Sequence, residues 1–155
     1  MNSPSHYAIL TAMLAPAFFL TATASLLLSA NNRLARIIDR ARSLLRDLAE
    51  LDPEETVERG LIEKRIALQR QRSMIILRAG QLLYLAISFF VGTSLAVAAD
   101  SFLNYRLGLF PTLLAALGVL AMLAASILLS RESTLAVTAI NEEMDHRHVK
   151  QKAAE

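Results

Sequence analysis

Three long apolar runs alternate with charged stretches along this chain. Residues 7–30 hold 24 positions without a charge, residues 74–99 carry only Arg78, and residues 107–130 carry none. Each run reaches the roughly 20 residues that a helix needs to cross a hydrocarbon core of about 30 Å. Between the first two runs the charged stretch keeps a helical repeat. Leu34, Ile37/Ile38, Ala41, Leu44/Leu45, Leu48 and Leu51 recur every three or four residues, a seam of over two heptads. No Gly or Pro interrupts the join at Asn31, so one helix over residues 7–51 is predicted, half of it outside the apolar layer.

Asp52-Pro53-Glu54-Glu55 predicts the start of a second helix. Asp52 can cap it, Pro53 suits the first helical position, and Glu55 completes a capping box. That helix returns through Val57, Leu61/Leu62, Ile66 and Leu68 to the second apolar run. Beyond Arg131, Val137, Ile140 and Met144 are spaced for one face of a short amphipathic helix, expected beside the hairpin or on a membrane surface. The predicted architecture is an all-α integral membrane protein, a single membrane domain over residues 1–155. Its three transmembrane helices span 7–30, 74–99 and 107–130. The first two extend into a cytoplasmic antiparallel helical hairpin at 31–73, and a C-terminal cytoplasmic helix covers 131–150.

Apolar residues make up 54% of the chain and charged ones 19%, but the charges are segregated, and their placement sets an orientation. Of 16 Lys and Arg, 11 lie between Arg33 and Arg78 and four from Arg131 onward, with Arg106 alone between the second and third runs. The positive-inside rule then places the hairpin and the C-terminus in the cytoplasm and the N-terminus outside. With no cysteine, disulfide and thiolate-metal chemistry are excluded.

Small and polar positions inside the runs are the candidate contact or functional residues. Ala17, Thr21, Ser25 and Ser29 stand four apart in the first run, which reads either as a close-packing face or as the lining of a pore. Ser88, Gly92 and Ala96 in the second, and Gly118, Ala121 and Ala125 in the third, form comparable helix-packing stripes. Arg78 and Gln81 are intramembrane polar positions, read as snorkelling groups or as groups facing a partner. Lys64, Arg65, Arg70 and Arg72 crowd the boundary and suit phosphate headgroups. Glu142, Glu143 and His146 have spacing for a metal but no second pair, so a solvated tail is expected. No glycine-rich phosphate loop, HExxH or nucleophile elbow occurs. Neither an enzyme nor a cofactor or metal is expected, nor a nucleic-acid partner.

The stretch from Met13 to Leu44, MLAPAFFLTATASLLLSANNRLARIIDRARSL, resembles the signature region of an uncharacterised bacterial membrane-protein family, domain of unknown function 2721. The resemblance is carried by Ala15-Pro16, by the small hydroxylic run behind it, and by the block Asn32-Arg33-Leu34-Ala35-Arg36-Ile37-Ile38-Asp39-Arg40. The arginine-rich approach to the second run, Leu109-Phe110 and the Glu-containing tail also fit. It implies a small three-span protein of the bacterial inner membrane and no particular activity.

Two functions are expected from these features. One is a homo-oligomeric channel-like protein with Thr21, Ser25, Ser29, Asn32, Arg33, Arg36, Asp39 and Arg40 lining a pore or its membrane exit, since rings of side chains set selectivity in pores. The other is a non-enzymatic scaffold or accessory subunit that docks an unidentified protein partner through the hairpin. The partners expected are the lipid bilayer and further copies of the chain.

Overall fold

In a computed structural model, the chain folds as three long helices: α1 (Pro4–Glu50), α2 (Thr56–Phe102) and α3 (Phe110–Lys152). The structure describes residues 4–52, 56–102 and 107–152, and the side-chain surroundings of residues 11, 13–52, 56–100 and 107–137. Each helix includes a stretch long and apolar enough to cross a membrane. α1 stays helical through Pro16 and across the change from apolar to charged sequence at Asn31, as the absence of a breaker there requires. Pro53, Glu54 and Glu55, which carry the capping reading, lie outside the described residues.

α2 is the middle element. It packs along both neighbours, whereas α1 and α3 scarcely approach one another. The contacts follow a seven-residue repeat. Buried on α1 are Pro16, Thr23, Ala30, Ile37 and Leu44, each seven residues after the last. Buried on α2 are Ile76, Ala79, Leu83, Ala86, Phe90 and Thr93, at alternating steps of three and four, with Ala96 three residues further on. On α3 the repeat is Pro111, Gly118, Ala125 and Glu132, with Ala121 between. A 3.5-residue repeat is the mark of left-handed, knobs-into-holes helix packing. The α1 seam does not change phase where the sequence turns charged, so apolar half and polar arm use one face.

Small residues let the helices approach. Phe90 is buried against α3 at Gly118, where an added Cβ would stand 2.7 Å from its Cε1. The ring also stacks on Phe19 of α1, with centroids 5.2 Å apart and planes 11° from parallel. Thr23, fully buried, donates to its own helix at Phe19 O (2.6 Å), with Met122 Sδ at 3.4 Å. A hydroxyl satisfied by the preceding turn costs little to bury.

The turn into α3 depends on Gly108, whose φ of +53° lies in the left-handed region that glycine enters without a Cβ penalty. Asp100 closes the same connection by accepting the Leu107 N–H at 2.8 Å. At its other end α3 departs from the sequence expectation. Residues 131–150 are a continuation of the third span and not a separate helix, because no Gly or Pro follows Gly118 before Lys152. Arg131 is a change of surface without being a helix end.

Large apolar side chains cover the outside of the apolar segments, among them Phe18, Leu28, Leu95, Leu120 and Leu123. Continuous exposed apolar surface of this kind suits a hydrocarbon solvent or a partner.

Candidate functional site

The three helices meet through polar side chains at one level, where the apolar runs end. Glu132 is the centre. It lies fourteen residues after Gly118 and seven after Ala125 on the α3 seam, so the repeat carries it inward between the other two helices. Its residue is 2% exposed. An isolated carboxylate in that position would be costly, and pairing is what permits it.

Two arginines supply the pairing. Arg72 of α2 donates from Nε (3.0 Å) and Nη2 (2.7 Å), both to Oε1. Arg33 of α1 reaches Oε2 from Nη1 at 3.4 Å and donates more closely, at 2.7 Å, to Ser133 Oγ. Ser133 in turn donates to Leu129 O at 3.2 Å. Arg72 therefore holds the carboxylate strongly, through one oxygen, and Arg33 less so. The side chains differ in the same sense: Arg72 is 18% exposed and Arg33 39%. α1 and α3 have little other contact, so Arg33 joins them directly at Glu132 and Ser133, with Arg72 of α2 on the same carboxylate.

Beside the cluster lies an open cleft of about 400 Å³, walled by α1 at Arg33, Arg36 and Arg40, by α2 at Arg72 and Gln69, and by α3 at Glu132. Gln69 Oε1 is buried without a donor among the described residues. A backing of apolar contacts fixes the geometry, with Ala30, Ile37 and Ile76 buried and Leu34 and Leu129 packed on them.

The other positions singled out in the sequence are distributed as follows. Thr21, Ser25, Ser29, Asn32, Arg36, Asp39 and Arg40 are exposed on α1, and Arg33 is half-buried. Thr21 and Ser25 donate back to Ala17 O (3.1 Å) and Thr21 O (3.0 Å). The hydroxyl stripe thus turns away from α2, and the intrachain contact is made by Thr23 and Ala30 instead. On α2, Ala96 is buried, Gly92 half-buried and Ser88 exposed, with Ser88 bonded to Tyr84 O. On α3, Gly118, Ala121 and Ala125 are all buried. Arg78 and Gln81 are exposed, and Arg78 borders a second groove between the hairpin arms. No group of three or more His, Asp or Glu that would hold a metal occurs among the described residues. The side chains of Glu142, Glu143 and His146 lie outside them.

Glu132 and Arg72 form the ion cluster with Arg33, and sequence reasoning assigned neither that place. Stepping seven residues from Gly118 to Ala125 and once more reaches Glu132, a signal present in the sequence. Nothing comparable marks Arg72 among its neighbouring arginines.

Fold and junction together define a class: a chain of three membrane-length helices, closed at one end of its apolar segments by a buried ion cluster. The sequence matches the family model described as Protein of unknown function (DUF2721) over residues 13–142, and the chain belongs to that family. No curated protein and no solved structure matches it.

Proposed function

We propose that this is a multi-pass protein of a bacterial plasma membrane that assembles into a homo-oligomeric, channel-like structure. The α1 stripe faces the symmetry axis and the polar arms lie in the cytoplasm. One observation supports this most directly. Thr21, Ser25, Ser29 and Asn32 share an exposed face of α1, while a different face makes the intrachain contacts. A polar face left over from internal packing suits contact with other copies around water better than contact with lipid. Orientation follows from the charge distribution, with both polar arms on the arginine-rich side.

The absence of cysteine makes the test direct. Single substitutions Ser25→Cys and Leu120→Cys, on exposed faces of α1 and α3, are oxidised in native membranes. Crosslinked dimers from Ser25→Cys and not from Leu120→Cys are expected. Reconstituted protein should also conduct, with currents altered by Ser25→Leu or Arg36→Glu. Crosslinking confined to α3, or bilayers silent across voltage, pH and tension, would sink the proposal.

A scaffold is the second reading, and the groove between the arms favours it. Leu45, Leu48, Ile66, Met74 and Ile75 line a groove of about 720 Å³ next to Arg70 and Arg78. A dominant heterologous crosslink from this groove would replace the channel with the scaffold.

A further inference from the structure

The cleft at the three-helix junction holds more positive charge than its ion cluster uses. Four guanidiniums and one carboxylate line it, an excess of three positive charges. The carboxylate engages Arg72 and part of Arg33. Arg36 and Arg40 make no hydrogen bond or ion pair among the described residues. Arg33, Arg36 and Arg40 follow one another at three and four residues along α1, the spacing at which like charges on a helix repel. A counter-anion in the cleft would relieve that repulsion.

The anion is constrained further by Gln69. Its buried Oε1 has no donor among the described residues, and a carboxylate or a halide could not supply one. A phosphate monoester or inorganic phosphate satisfies both demands. Its oxygens accept from several guanidiniums at once, which is the geometry arginine favours. Inorganic phosphate keeps an O–H to donate in both its mono- and its dianion, and a monoester keeps one in its monoanion. We infer that this cleft is a phosphate-binding site, one per chain, built from Arg36, Arg40 and Gln69 around the internal Arg33–Glu132–Arg72 cluster.

Its height in the molecule leaves two sources for the phosphate. Arg33, Arg72 and Glu132 each lie within three residues of the end of an apolar run, which in the proposed membrane orientation is the headgroup level. The group is then either the headgroup of a phosphatidic-acid-like lipid or a free phosphate compound from water. Only the first depends on the membrane placement, and neither depends on oligomerisation or conduction.

The experiment uses the full chain in nanodiscs. Inorganic phosphate is titrated calorimetrically into discs of phosphatidylcholine alone. Native mass spectrometry then counts lipids retained from discs containing phosphatidic acid or phosphatidylglycerol. Arg36→Ala/Arg40→Ala is compared with Arg46→Ala/Lys64→Ala, which removes equal charge from exposed positions outside the cleft. The cleft variant should weaken phosphate binding by at least about tenfold relative to the control variant. Its circular-dichroism melt should match that of the control, since neither arginine has a partner among the described residues. Retained phosphatidic acid without calorimetric binding identifies the lipid source, and saturable inorganic phosphate the soluble one. Absence of binding in both formats, or equal loss in the two variants, overturns the site.

Discussion

Two kinds of arginine–carboxylate pair occur in this chain, and they differ chiefly in their surroundings. On the polar arm, Arg42 and Asp39 sit 3.9 Å apart with side chains 71% and 74% exposed. At the junction, Arg72 and Glu132 meet at 2.7 Å with the carboxylate side chain 3% exposed. Water screens the first pair and already solvates both partners, so forming it gains little. The second has given up its hydration, and the protein bonds around Glu132 replace it. The buried pair is no proof of high stability, because a well-packed apolar replacement of such a cluster is often as stable. What it does create is a large penalty for losing one member.

Glu132→Ala is therefore the sharpest way to break the comparison. It strands Arg72 and Arg33 beside an apolar backing and should destabilise the fold by about 3 kcal/mol, the lower end for a broken buried pair because both arginines retain some access to water. A denaturant or thermal melt in detergent reads this directly, and a loss no larger than that of an exposed-pair variant would refute the contrast. Next in size is Gly118→Ala, which tests whether the apolar seam is as exacting as the ionic one. The new methyl meets Phe90, whose ring is also stacked on Phe19, so overpacking should cost about 1–2 kcal/mol. Adding Phe90→Leu should return part of the loss in a double-mutant cycle. Asp39→Asn is the smallest, within about 0.5 kcal/mol of wild type and smaller still as added salt screens the exposed pair. A melting shift approaching that of Glu132→Ala would show that exposure is the wrong variable.

Much of the fold is legible from hydropathy and spacing. The three apolar runs lie in helices long and apolar enough to cross a membrane, and the uninterrupted sequence around Asn31 does continue one helix out of its apolar half. The small face at Gly118, Ala121 and Ala125 is buried, as a close-packing stripe requires. The hydroxyl stripe of α1 is less legible, because small polar residues suit either a packed face or an outward one. The choice is made by heptad phase, which gives the seam to Thr23 and Ala30. Residues 131–150 mislead for a different reason: charge marks a change of solvent, and helix continuity depends on breakers, which are absent there. The site is the least legible part. A glutamate among charged neighbours looks solvated, and only its phase relative to small residues on another turn reveals that it is enclosed.

The unbroken phase of α1 bears on length. One residue inserted near Ala30 would turn everything beyond it by about 100°, presenting Ile37 and Leu44 to solvent and carrying Arg33 away from Glu132. Seven residues would restore the facing but lengthen the arm by about 10 Å, beyond the reach of the same partner on α2. Insertions and deletions at the boundary are thus tolerated only when compensated on the neighbouring helix, and homologous chains should differ in length at the hairpin tip or the termini instead.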